Sequence, residues 1–222
     1  MKSHLMVGLV AGLAVCASSV SAQVCQGDLS FRNSSKHVGG AIGLGDNSTS
    51  FGAGLTFGHR QGWYSGASVA MQSYDGIDGN SVAVNGGVGY SMPLVSKSKW
   101  QLCPGGTLSL GFGPSIDVGT ETMKMSSQTL TLGASVGTSV PMTKKVSLLP
   151  FGSASIAHTR LTAKLNGASN SESETYLLLG GGAGIQFTPS LVFRPSVLFA
   201  VNADNVVDDT ILSFGLTWAL PR

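Results

Sequence analysis

Residues able to do chemistry are sparse in this chain: three cysteines, four histidines and eleven acids among 222 residues. Cys16 lies in an apolar N-terminal run. If that run is removed on export, Cys25 and Cys103 remain as an even pair, which in an oxidising compartment reads as a disulfide. Two unpaired thiols are the alternative. Asp75-Gly76-Ile77-Asp78-Gly79-Asn80 offers the carboxylates of a calcium loop. Yet Ile77 stands where a third oxygen ligand is needed and no Glu follows at the right distance, so a tight turn of Gly with Asp or Asn fits better. His158 has no acid near it in sequence, and a lone His of this kind is a lumen or rim residue. No phosphate loop and no Cys/His metal spacing occurs. The expectation is a chain that is not an enzyme and holds no cofactor and no metal.

These residues must be positioned by strands. In the last stretch, Leu212, Phe214, Leu216, Trp218 and Leu220 alternate with Ser213, Gly215, Thr217 and Ala219. Period two with bulk on one side of a pleat, and small uncharged residues on the other, describes a strand facing lipid outward and a narrow lumen inward. Nine earlier stretches repeat the pattern, over 36–45, 49–59, 62–74, 80–92, 99–115, 123–140, 145–164, 175–187 and 190–202. With 210–220 this makes ten strands, eight being the alternative count. Leu148, Leu149, Pro150 and Phe151 interrupt the alternation, which predicts a bulge or a short pre-strand segment there. Residues 23–35 are polar and aperiodic and read as an N-terminal segment.

Composition agrees. Glycine supplies 31 of 222 residues, charged residues only 11 %, and mean hydropathy is +0.25; a net charge of +2 argues for no particular partner and none is expected to be nucleic acid. Lys2 and His4 before the apolar run 5–17, with small residues at Val20-Ser21-Ala22, give 1–22 the form of a cleaved secretory signal. Val24 before Cys25 argues against a lipoprotein signal. The connections sort by charge. Asp46; Asp75 and Asp78; Asp117 and Glu121; Glu172 and Glu174; and Asp204, Asp208 and Asp209 fall in or beside alternate connections, leaving Asp28 as the one other acid. The remaining connections carry His59-Arg60, Lys97 with Lys99, and Lys144-Lys145, hold no acid, and are expected to be the shorter set. Two ends facing two compartments account for this, with both termini in the periplasm and longer acidic loops outside.

With Gly86-Gly87-Val88-Gly89-Tyr90, Gly180-Gly181-Gly182-Ala183-Gly184-Ile185 and the closing strand, the chain resembles the small OmpA/OmpX-like outer-membrane β-barrels of diderm bacteria. The resemblance implies an all-β, closed, antiparallel, transmembrane up-and-down barrel over 36–222, with outer-membrane lipid and the barrel-assembly machinery as partners. Members of that family typically end in an aromatic residue; here Pro221-Arg222 follow the last strand. By phase, Asn85, Gln186 and Arg194 are expected in the lumen, where they line a narrow water path or form a polar plug. Trp63, Tyr64, Tyr90, Trp100 and Trp218 are expected at the membrane interfaces. A Cys25–Cys103 disulfide would pin residues 23–35 across or inside the lower mouth, and closing a loop of that length is worth ~4 kcal/mol in the chain-entropy model. The functional expectation is a monomeric structural or surface-interaction protein; a small-solute channel and a soluble periplasmic barrel that binds an apolar ligand are the alternatives.

Overall fold

The structure is a computed structural model that describes residues 24–31, 34–59, 62–75, 79–95, 99–118, 121–166, 168–202 and 210–221. The expected signal 1–22 lies outside them, as do Asp78, Asp204, Asp208, Asp209, Arg60 and Lys97.

Among the described residues ten strands form the wall: β1 (Lys36–Leu44), β2 (Ser48–Gly58), β3 (Trp63–Tyr74), β4 (Asn80–Tyr90), β5 (Gln101–Val118), β6 (Glu121–Gly137), β7 (Ser147–Leu165), β8 (Ala168–Thr188), β9 (Leu191–Val201) and β10 (Thr210–Ala219). Each pairs antiparallel with its neighbour in sequence, and β10 returns to pair with β1 from His37↔Ala219 to Leu44↔Leu212. The sheet therefore closes on itself. Met92–Pro93 and Val140–Pro141 add two-residue extensions against β5 and β7.

The phase of the pleat is the expected one. Phe51 is 59 % exposed, Val88 64 % and Trp218 57 %, all on the outer face. Their inward neighbours are small or polar and buried: Ser50, Ala83, Ser109, Ser127 and Ser213. A soluble barrel around an apolar ligand would reverse this order, so that alternative is excluded.

Three expectations are corrected. First, β8 is taller than the expected 175–187 and joins β5 to β7, whose expected ranges are already long, in a wall of uneven height. β5 to β8 have 18, 17, 19 and 21 residues, while β1 to β4 have 9 to 12. Strands of about 11 residues suffice for a ~25 Å apolar band, so the tall hairpins project beyond it. Second, the acidic end is not built from longer loops: β5 and β6 meet across 119–120, and β7 turns at Asn166, whose φ of 51° suits a tight reversal. The longer connections, 91–100 and 138–146, lie at the other end. The reach of the acidic end comes from paired backbone. Third, no bulge occurs at 148–151; the ladders of β7 run on one register through it. Leu149 and Phe151 point inward in phase, and the alternation breaks because something apolar inside receives them. The register shifts fall instead at Phe112/Ser115 and Gln186/Thr188.

Candidate functional site

The inside of the barrel is filled from the end that carries both termini. Val24–Gln26 forms a short 3-10 turn, and Val24, Cys25, Asp28, Leu29, Phe31 and Ser34 are all buried. A segment with few apolar residues cannot fold alone; it is held because the barrel supplies what it lacks. Leu149 and Val192 receive Val24 and Leu29. Cys25 is bonded to Cys103 of β5, their Cα atoms 6.1 Å apart, and Phe31 and Tyr64 complete that cluster. Phe31 also stacks on His37 with centroids 4.4 Å apart. Glycines make the seat: a Cβ on Gly184 would run into the Gly27 carbonyl, and one on Gly58 would enter the Phe31 ring. Gly27 itself takes φ 71°, which a side chain would strain.

One charged clasp holds this plug. The Asp28 carboxylate accepts the Leu29 N–H at 2.8 Å and the Thr217 hydroxyl at 2.9 Å, and lies 3.9 Å from Arg194 Nη1. Arg194 also donates to the Gln26 carbonyl at 3.3 Å, and Gln26 Nε2 donates to the Tyr64 hydroxyl at 3.3 Å. Burial pushes the Asp28 carboxyl above its ordinary value, while the Arg194 guanidinium, the Leu29 N–H and the Thr217 hydroxyl pull it back. At the mouth the Ser34 hydroxyl donates to the Leu220 carbonyl at 2.6 Å, tying the plug to the end of the closing strand.

Beyond the plug is a cavity of about 170 Å³, with Gln26, Tyr64 and Arg194 on its floor and Thr107, Ser135, Ser153 and Ser196 on its walls. Further along comes a second packed layer. Ala157, Tyr176, Leu178 and Ile211 pack together, with Leu198 and Ala200 against them. The Tyr176 hydroxyl lies 3.2 Å from Thr159 Oγ1, which is 2.9 Å from Thr129 Oγ1. Across from them the Tyr74 hydroxyl donates to Gln72 Oε1 at 2.8 Å. The cavity lies between the plug, which reaches it through Gln26, and this layer, which reaches it through Leu178.

The predicted site residues separate accordingly. Asn85 is buried in the lumen and donates to Ser68 Oγ at 3.2 Å, away from the clasp. Arg194 is buried and central to the clasp. Gln186 has the inward phase but is only half-buried, beside the register shift near the rim. Trp63, Trp100 and Trp218 are exposed, and Tyr90 is half-buried against Trp63 with centroids 4.8 Å apart. All four lie at the rim that carries the termini. Tyr64 is a correction: one step out of phase with Trp63, it is 6 % exposed and belongs to the plug seat. Gln26, Phe31 and His37 were missed altogether, and Asp28, Leu149 and Phe151 were noticed without being placed at the plug. Asp28 had a signal, as the one acid outside the sorted connections, opposite in charge to an inward-facing arginine.

Among the described residues no three His, Cys, Asp or Glu side chains group as a metal site would need. Gly133-Ala134-Ser135-Val136-Gly137 has the Gly-x-Ser-x-Gly spacing of a nucleophile elbow. It lies inside β6, with Ser135 Oγ buried and without a hydrogen-bond partner, so no base activates it.

Comparison with known proteins agrees with this architecture. The β-domain of the Bordetella autotransporter BrkA superposes with a TM-score of 0.55 at 11 % identity, over 85 % of this chain and 100 % of that one. The attachment invasion locus protein Ail of Yersinia pestis is 16 % identical, with a TM-score of 0.42 over 84 % of this chain and 95 % of its own. The N-terminal barrel of Pseudomonas aeruginosa OprF is 14 % identical, with a TM-score of 0.38 over 85 % and 98 %. No curated protein matches the chain significantly. The model of the outer membrane protein beta-barrel domain matches residues 9–219. This chain belongs to that family, whose place is the bacterial outer membrane.

Proposed function

We propose that the protein is a surface-interaction barrel, not a channel and not an enzyme. Its acidic hairpin tips face outward, both termini lie in the periplasm, and residues 1–22 are removed as a signal. The mature chain works as a monomer, held by outer-membrane lipid after the barrel-assembly machinery inserts it. The observation that carries this reading is the plug. Residues 24–31 are bonded, clasped and packed across the lumen, so the walls that rise above the membrane are the part left to act. A channel would need that segment to leave, against a covalent bond.

Two measurements test it together. An epitope inserted after Asn205, in the connection from β9 to β10, should be stained on intact cells, and one appended at Arg222 only after permeabilisation. The oxidised protein in planar bilayers should show no steady conductance. Staining of the opposite pattern overturns the orientation, and a steady open level in the oxidised protein favours the channel.

A further inference from the structure

The lysines and arginines, unlike the acids, lie at both ends. Lys36, Lys99, Lys144 and Lys145 lie at the rim with the termini, and Arg194 is inside. At the other end the described residues include Lys124 on β6 and Arg160 and Lys164 on β7, all exposed. The ladders place them together. Lys124 is the direct partner of Lys164, and Gln128 of Arg160.

Read across β6, β7 and β8 on the outward face, the rows change with height. Leu132, Ile156 and Leu177 make the last apolar row. Next comes Leu130 with His158 and Thr175, where His158 Nδ1 and Thr175 Oγ1 are 2.8 Å apart. Then follow Gln128, Arg160 and Ser173, then Ser126, Thr162 and Ser171, and last Lys124, Lys164 and Ser169. Thr162 and Ser171 join their hydroxyls at 3.0 Å.

Two features of this wall need an explanation. Like charges placed directly opposite on neighbouring strands repel, and Lys124 and Lys164 are so placed. Of the acids near them, Glu172 and Glu174 of β8 pair with Leu161 and Thr159, which are inward positions, while Asp117 of β5 pairs with Thr122, one row beyond Lys124. Among the described residues, none of the three cations has an ion-pair partner. The column is also tall. From His158 to Lys164 it rises ~15 Å at the tilt of such strands, about twice the depth of a phospholipid headgroup layer.

We propose that this outer wall of β6 to β8 docks the phosphorylated saccharide headgroup of an outer-leaflet glycolipid. Arg160 takes a phosphate close above the apolar band, presenting a forked donor that suits it. Thr162, Ser171 and Ser173 face the sugar hydroxyls, and Lys124 and Lys164 close on a second anionic group farther out. That anion relieves their mutual repulsion. A phospholipid headgroup reaches the lower part of the column but not the lysine pair.

The test is run on the full mature protein refolded in dodecyl maltoside, so it does not depend on which end faces out in cells. Wild type, K124Q/R160Q/K164Q and K144Q/K145Q are titrated with rough lipopolysaccharide, with phosphatidylglycerol and with inorganic phosphate. Each variant's folded state is checked first by its heat-shifted band. Wild type and K144Q/K145Q should bind the glycolipid alike, and the triple variant at least ~10-fold more weakly, as loss of three membrane-surface cations implies. Equal binding by the triple variant overturns the site. Phosphatidylglycerol bound as tightly as the glycolipid overturns the saccharide, and inorganic phosphate bound as tightly overturns the lipid source.

Discussion

Asp28 and Arg194 show how little of a lumen is decided by local pattern. Each is buried, and each helps to make the other's charge tolerable there. Removing one partner of a buried pair leaves an uncompensated charge, at a cost of ~3–5 kcal/mol. Arg194→Met should therefore loosen the plug by about that much, seen as faster amide exchange at 24–31 with the strands unchanged. Adding Asp28→Asn should restore part of the loss, since burial already works against the Asp28 charge and the amide carries none. Unchanged exchange in the single variant would show that the clasp holds nothing. Alternation was enough to put Arg194 inside, but its partner lies 166 positions earlier in an aperiodic segment. Tyr64 fails for the related reason that an aromatic near a strand end reads as a girdle residue unless its phase is counted against its neighbour's.

At the scale of elements, the strands were legible, and so was the height of β5 to β7, but not that of β8. Phase is written in side chains, so all ten stretches, the closing one among them, could be found from alternation. Height is written less plainly in β8, because beyond the apolar band its outward residues turn polar and the period-two signal loses its contrast. β8 accordingly begins at Ala168, seven positions before the alternation does at Thr175. The plug was legible through Cys25 and, less directly, through the isolated acid Asp28, and the interruption at Leu149 and Phe151 was its imprint on the wall. Its tether should dominate its stability. Cys25→Ser with Cys103→Ser removes a constraint worth ~4 kcal/mol in the chain-entropy model. Transient conductance steps should appear in planar bilayers, while the heat-shifted band persists. Silent bilayers would mean that the clasp and the seat suffice without the bond.

The whole molecule owes its integrity to closure. β1 pairs with β10 over eight consecutive partners from His37↔Ala219 to Leu44↔Leu212, and the plug crosses inside without replacing any of them. Unboiled protein should thus migrate apart from boiled protein on a detergent gel, and reductant should leave that difference intact. A band that loses its shift with reductant would make the disulfide, not the ladder, what keeps the cylinder shut.

The position of that disulfide also bears on the order of events during insertion. Cys25 precedes every strand, and Cys103 stands near the start of β5, so the 78-residue separation encloses β1 to β4. Oxidation turns the first four strands into a covalent ring before the last six need exist as structure. A nascent chain oxidised in the periplasm would reach the membrane with its stopper already moored to the wall. The seam between β1 and β10 would then close around an occupied bore, and at no stage would the membrane contain an unstoppered pore.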